Sequence, residues 1–419
     1  MFLLACTSTV IPTPQETGAV DSAAHDSRDS QHPEEIDIFE LPTDVPTLEI
    51  RISDEAMARL DADPYQAPDE VGQLVDELGA VYEADLSYRG AYQLRNVMSA
   101  YGLRNWKVKV PSDQLYLGRR EWNFNYEPHL RQKLAYDLFR FAGVPVPSAQ
   151  HVLLLLNGEP QGVYLRYEDP DDKRWLEDSL GEAEGDLYKA ATDLPGVPQC
   201  FADLTVLGER DEDYFCHYQK KTNTRSAPED YSALMDFVEG LADGDTAWFE
   251  DELDVPVFLS FLVVSNFVSN WDSYPQRPKN YWLYQGPERF TLLPWDLDGT
   301  FGPNRDSTYN QMGVSASVLY EMHGNDYAPP HEDEGDERPL VHRLMADPAM
   351  EQAYLDRYRE LQALLLNEAY LSERSAALTA LLDAEISTTD RSRLSSANES
   401  LSSFVSQRTE RVAEELEGL

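Results

Sequence analysis

Apolar and polar residues begin to alternate near Val45, where Thr47-Leu48-Glu49-Ile50-Arg51-Ile52 has the period of two of a half-buried strand. Ser53 stands where it can cap a short helix running to Leu60, and Pro64 ends it. Residues 73–77 and 81–88 read as the arms of a hairpin around Leu78-Gly79-Ala80, and residues 106–110 alternate apolar with basic positions as a further strand. The period then changes. Residues 128–142 set Leu130, Leu134, Ala135, Leu138, Phe139 and Ala142 on one stripe at three- and four-residue spacing, which predicts an amphipathic helix. Gly143 ends it, and Pro145 and Pro147 prevent its continuation. Residues 152–156 and 162–167 flank Asn157-Gly158, a strong signal for a tight hairpin. Residues 256–269 are apolar on nearly every side, the mark of a fully buried helix. A polar loop over 270–280 follows, then strands at 281–284 and 290–293, and from Leu340 onward the pattern is helical. Residues 192–228 read as a long charged insertion, and 329–338 as an acidic loop. A β-rich first third followed by helices predicts an α+β fold.

Length and charge narrow the functional classes. A chain of 419 residues holds two average domains or one large two-lobed one, and 42% hydrophobic residues suffice for a sizeable core. Acidic residues number 76 against 34 Lys and Arg, a formal net charge of −42. That argues against nucleic acid as a partner, because phosphate backbones need basic surface. A polyanionic ligand such as a nucleotide would need a local cluster of cations and a metal. The eight histidines show no ligand spacing.

The N-terminus carries an address rather than a fold. Leu3-Leu4-Ala5-Cys6 reads as a lipobox, with too little chain before it for a signal peptide, so the natural start is expected upstream. Residues 7–44, rich in Ser, Thr, Pro, Asp and Glu, bury too little to fold and read as a tether. Membrane attachment is then expected only through a lipid on Cys6, on an extracytoplasmic protein of the cell envelope. In that oxidising setting Cys200 and Cys216 either form a disulfide, closing a loop worth roughly 3 kcal/mol, or remain two buried thiols. No CxxC spacing supports zinc.

The candidate chemistry lies in NWDSYPQRPKNYWLYQGPERFTLLPWDLDGTFG, residues 270–302. Acids placed where rigid elements end are well held and can share a hard cation such as Mg²⁺. Spacing alone equally fits turn-forming Asp and Gly at strand ends, and the EF-hand calcium pattern is absent.

RQKLAYDLFRFAGVPVP (131–147), GVYLRYED (162–169), GDLYKA (185–190) and NWDSY…NYWLY…PWDLDGTFG together resemble the CotH kinase family, in the family's order, over residues 45–370. The resemblance implies an atypical protein-kinase-like fold within residues 45–419. Its β-rich N-lobe would span about 45–170 and its helical C-lobe about 171–419, with nucleotide between them. It implies Mg²⁺-ATP-dependent phosphoryl transfer to Ser or Thr of a secreted or surface protein, with Mn²⁺ or Ca²⁺ as alternative ions. By the same resemblance Asp272 is the catalytic base and Asn280 a metal or loop-fixing ligand. Asp296 is the metal ligand, and Asp298 a second ligand, a hydrogen-bonding support or a cap of the following turn.

On the nucleotide side the resemblance implies Arg89, Arg104, Lys107 and Lys109. The two lysines share a strand face, and Lys109 is preferred for the phosphates. Glu168 would orient a lysine or contact the nucleotide, and Lys189 is a candidate for either role. One departure stands out. Ala91-Tyr92-Gln93-Leu94 follows Arg89-Gly90 where the family carries small polar residues. It keeps open a non-catalytic surface-binding or structural module, stabilised by a divalent cation.

Overall fold

Two β-sheets divide the apolar surface in the computed structural model of the chain. It describes Ile38 and residues 40–90, 94, 98–127, 130–190, 200–224, 227, 229–302, 313–319, 338–384, 386 and 388–419. Cys6, the tether up to residue 37 and the acidic stretch 329–337 lie outside the described residues, as do Ala91, Tyr92 and Gln93.

The first sheet is a closed barrel. Its strands are β1 (Thr47–Arg51), β2 (Glu70–Val75), β3 (Val81–Tyr88), β4 (Trp106–Lys109), β5 (Glu121–Tyr126), β6 (Ala149–Leu156) and β7 (Glu159–Glu168), with helix α1 (Asp54–Ala62) between β1 and β2. They run in the order β1-β2-β3-β4-β5-β7-β6. Parallel pairing of β1 with β6, from Thr47 opposite Leu153 to Ile50 opposite Leu156, closes the barrel. Leu48, Ile50, Leu74, Leu86, Trp106, Val108, Phe124 and Tyr164 fill it. On β4 the two-residue period buries Trp106 and Val108 and turns Lys107 and Lys109 to the other face.

Turn chemistry sets two of the hairpins. Asn157 and Gly158 have φ of 51° and 85°, the left-handed backbone of a tight primed turn. The Asn157 side chain also accepts from Ile52 N (2.9 Å) and donates to Ile52 O (2.8 Å), tying the turn to the end of β1. The β2 strand stops at Val75, two residues before the sequence pattern ends it. Asp76 Oδ1 captures the amides of Leu78 (2.9 Å) and Ala80 (2.8 Å), which draws Asp76 and Glu77 into the turn.

The amphipathic helix forms as α2 (Arg131–Phe141), and Gly143 beyond it has φ of 77°. The helices α3 (Lys173–Leu180), α4 (Ser232–Asp243) and α5 (Thr246–Glu252) precede α6 (Val255–Phe267). Eleven of the residues of α6 are buried, and Asp254 caps its start by accepting from Val257 N at 3.3 Å. Phe139 of α2 stacks on Phe261 of α6, with ring centroids 5.8 Å apart. The chain finishes in α7 (Pro339–Ala346), α8 (Pro348–Leu364), α9 (Glu368–Asp383) and α10 (Thr388–Gly418). Among the described residues no helix is long and apolar enough to cross a membrane.

The second sheet has the order β11-β10-β8-β9, from β8 (Leu187–Ala190), β9 (Tyr218–Lys220), β10 (Tyr281–Gln285) and β11 (Phe290–Pro294). The charged segment 192–228 is structured where it is described. Its residues 218–220 form edge strand β9, and Tyr214 and Tyr218 are wholly buried. Cys200 and Cys216 are joined as a disulfide, with Cα atoms 5.6 Å apart. The charged residues between them masked buried aromatic anchors.

Gly185 shows how closely this sheet is set. A Cβ there would lie 1.9 Å from the carbonyl oxygen of Gln285. Gly185→Ala should therefore lower stability by about 1–3 kcal/mol, read as a shifted urea midpoint with unchanged slope.

Candidate active site

Helix α6 ends at Phe267, Val268 caps it, and Ser269 turns the chain with φ of 53°. The loop that follows is held by backbone turns, with Gln276 N and Arg277 N both donating to Ser273 O, and by side chains. Asn280 Nδ2 donates both to Asp272 O (2.8 Å) and to Asp272 Oδ2 (3.0 Å). Asp272 Oδ1 meets Arg277 Nη1 and Lys279 Nζ, each at 3.2 Å. Burial raises the pKa of Asp272 above the ordinary carboxylate value, Lys279 and Arg277 oppose that rise, and Asp296 adds to it.

Asp296 follows directly on β11. The amide of Trp295 donates to Asn280 O at 3.2 Å, which fixes this strand end against the Asp272 loop. Asp296 itself has left-handed backbone, φ 53°, and opens the 3₁₀ turn Leu297–Gly299 that contains half-buried Asp298. Gly299 lets that turn lie flat on the loop, because a Cβ there would stand 3.2 Å from Trp271 Nε1 and 3.3 Å from Asp272 Cβ. Asp272, Asn280 and Asp296 are thereby brought together.

The barrel faces this group with cations. Arg89, just past β3, donates to Asn125 Oδ1 and to the Tyr167 hydroxyl. Its guanidinium carbon lies 5.2 Å from the centroid of Tyr167 and 5.8 Å from that of Trp295. Burial opposes the charge on Arg89, but Tyr167, Asp296 and Asp169 raise its pKa regardless. Lys189 on β8 reaches the same indole: its Nζ is 5.2 Å from the Trp282 centroid and 5.5 Å from that of Trp295. Burial, then Lys221, pushes the Lys189 pKa down to about 8, although Asp169 pulls the other way. Two cations thus converge on Trp295, the residue before Asp296.

Lys107 and Lys109 do share a face, but both are already paired. Lys107 Nζ sits 2.8 Å from Asp169 Oδ2, 2.9 Å from Glu121 Oε2 and 3.9 Å from Asp171 Oδ1. Lys109 Nζ lies 2.5 Å from Glu121 Oε1. Burial works against the charge on Lys107, and the acids outweigh it, so its pKa rises. Burial likewise works against the charge on Asp169, yet Lys107 holds its carboxyl well below the usual range. Asp171 is pushed up to about 7, by burial first and Asp169 second.

Two of the implied nucleotide residues lie outside this group. Arg104 is engaged by Asp61, Nε to Oδ1 at 2.8 Å and Nη2 to Oδ2 at 2.6 Å. Glu168 accepts from Arg119 Nε (2.8 Å) and from Ser148 N (2.8 Å), so it braces the barrel wall. The two-residue period of β7 turns Tyr167 toward Arg89 and Glu168 to the opposite face. Its neighbour Asp169 reaches Lys107 instead. No sequence motif singles out Glu121 or Asp171, and only the GVYLRYED run signals Asp169. Among the described residues the one trio of carboxylates with oxygens within 4.8 Å is Glu121, Asp169 and Asp171, not Asp272, Asp296 and Asp298. The Lys107 ammonium is paired with all three of its members.

The chain is a mixed α+β body with opposed acids and cations at the end of a buried helix. The chain belongs to the CotH kinase family: the family model described as CotH kinase protein matches residues 86–417. Inner spore coat protein H of Bacillus subtilis is 29% identical over 52% of this chain and 59% of its own length. Spore coat protein homolog 1 of Rhizopus delemar is 22% identical over 60% of this chain and 40% of its own. Invasin CotH7 of the same organism is 24% identical over 57% and 42%. The chain thus spans about half the length of the curated relatives it matches. A solved structure of the Shewanella oneidensis toxin–antitoxin complex of HipA, HipB and operator DNA covers 91% of this chain and 76% of its own. At 12% identity and a TM-score of 0.32 that likeness carries no argument.

Proposed function

We propose that this protein transfers the γ-phosphoryl group of Mg²⁺-ATP to a Ser or Thr hydroxyl of a surface or coat-associated protein. The observation that carries the reading is the convergence of Arg89 and Lys189 on the ring of Trp295, beside an Asp296 that is coupled electrostatically to Asp272. In this reading the barrel is the N-lobe, the second sheet and the helices are the C-lobe, and nucleotide lies between. The names of the relatives, spore coat proteins and an invasin, support a surface or coat setting. The Cys200–Cys216 disulfide supports an oxidising compartment, as a lipid on Cys6 would require.

The residues fit a hydrated, oxygen-rich ligand. Among the described residues, Tyr136 Oη and both side-chain polar atoms of Asn270 are buried without a hydrogen-bond partner. Tyr136 lies within electrostatic reach of Asp296 and Arg89. Such atoms call for a ligand or water to satisfy them. Asp296, with Asp298 and Asn280, would hold Mg²⁺, which neutralises charge developing on the phosphates. Asp272 accepts the hydroxyl proton as the oxygen bonds to the γ-phosphorus and the β–γ bridging bond breaks. Lys189 and Arg89 meet the phosphates. Lys189 takes precedence over Lys109 because it makes no ion pair among the described residues, whereas Lys109 is held by Glu121.

Labelled phosphate from Mg²⁺-ATP, followed into casein and into the protein itself, tests the activity. No incorporation with Mg²⁺ or Mn²⁺, together with no nucleotide binding at millimolar concentration, would leave a non-catalytic surface module. A second expectation concerns protons. Phosphate beside Lys189 raises its pKa, so nucleotide binding takes up a proton where the pH lies above about 8. Affinity then falls as pH rises through that value. Calorimetry in buffers of different ionisation enthalpy reads the uptake, and Lys189→Met should remove it.

A further inference from the structure

The loop from Asp272 to Asn280 is held from outside by residues 201–203 and by residues 338–340, where Arg338 Nη2 donates to Gln276 O at 2.9 Å and Leu340 N to Tyr274 Oη at 3.4 Å. Ala202 N donates to Pro278 O at 2.8 Å, and Tyr281 Oη donates to Ala202 O at 2.6 Å. Tyr274 Oη donates to Asp203 O at 3.2 Å. The Arg277 guanidinium carbon lies 6.0 Å from the centroid of Phe201, and its Nη1 is 3.2 Å from Asp272 Oδ1. Residues 201–203 therefore touch the start, middle and end of the loop that carries Asp272.

That segment is itself clamped. Cys200, immediately before it, is bonded to Cys216. The two residues after Cys216 complete the clamp: His217 Nδ1 contacts Phe201 O, and Tyr218 Oη accepts from Leu204 N at 2.8 Å. Leu204 has φ of 64°, a left-handed backbone that a non-glycine residue holds only under such constraint. The disulfide thus joins the two strips of chain whose mutual contacts fix the strut.

We infer that residues 200–204 are a positioning strut for the Asp272 loop, with Phe201 seating Arg277 against Asp272, and that the Cys200–Cys216 bond sets how firmly the loop is held. The effect on catalysis rests on the phosphoryl-transfer reading, whereas the effect on the loop does not. Phe201 is a positioning residue, since it acts on Asp272 only through Arg277.

The test compares the full oxidised chain with Cys200→Ser/Cys216→Ser and with Phe201→Leu, by hydrogen exchange and by phosphate transfer. Exchange should quicken in residues 272–280 of both variants and stay unchanged in β1 and β6. Transfer should lose about tenfold or more in kcat, because a displaced base loses alignment. KM for ATP should stay within about twofold, because Arg89 and Lys189 lie off the strut. Unchanged exchange in 272–280, or exchange that quickens throughout the chain, overturns the strut. Equal losses in kcat and in nucleotide affinity also overturn it. Should the double variant not fold, the wild-type chain reduced with a phosphine gives the same readings. If the wild type transfers no phosphate, the kinase reading falls, and exchange alone decides the strut.

Discussion

Asparagine in place of Asp272 should lower phosphate transfer by about 10²–10⁴ while nucleotide affinity stays within about twofold. The substitution keeps the shape of the side chain and its place beside Asn280, Arg277 and Lys279. What it removes is the acceptor for the hydroxyl proton. Asp296→Asn should differ in kind. It removes charge from the candidate metal site, so transfer and the Mg²⁺-dependent part of nucleotide binding fall together. Calorimetry with and without Mg²⁺ separates the two variants, and labelled ATP measures transfer. Equal incorporation by the wild type and both variants would remove Asp272 and Asp296 from the chemistry.

Lys107→Met should destabilise the fold by about 3–5 kcal/mol near neutral pH, the usual cost of taking one partner from a buried ion pair. A solvated strand lysine would change stability by no more than about 0.5 kcal/mol. The difference arises because Glu121, Asp169 and Asp171 would be left without the ammonium that all three now face. In the wild type the folded pKa of Asp169 is depressed, so its contribution is present above the unfolded pKa and is lost as pH falls through the folded one. Without Lys107, burial raises the folded carboxyl above its unfolded value. The variant then recovers stability as pH falls toward the ordinary carboxylate range. Urea midpoints at several pH values check the sign. A deficit that stayed constant from neutral to acid pH would show that Lys107 acts by packing alone.

Much of the architecture was readable before any tertiary contact was known. Asn157-Gly158 specified a hairpin because few other residue pairs tolerate two successive left-handed conformations. The apolar stripe within 128–142 and the all-round apolar run of 256–269 predicted helices, which form as Arg131–Phe141 and Val255–Phe267. Asp76 shows the limit of such patterns. Its side chain competes with the ladder for backbone amides, and this ended β2 early. The segment 200–224 was harder still, since charged residues there outnumber the aromatic ones that bury.

The candidate site was legible in part. Asp272, Asn280 and Asp296 come together because each stands at the end of a rigid element, and element ends can be read from the chain. The cations could not be sorted in that way. Strand period puts Lys107 and Lys109 on one face but is silent about what lies opposite, and three acids from β5 and the end of β7 lie there. Glu168 and Asp169 differ by one residue, and that step carries the second toward Lys107 while the first braces Arg119.

By itself, then, the chain determined the positions of many of its strands and helices and a short list of acids at element ends. These depend on local periodicity and backbone preference, which act over a few residues. Only the tertiary structure decided that Lys189 makes no ion pair among the described residues, which carboxylates cluster, and that a disulfide-closed segment backs the Asp272 loop. Ion pairing and burial depend on what another part of the chain places within a few ångströms, and a net charge of −42 says nothing of where the acids meet their partners.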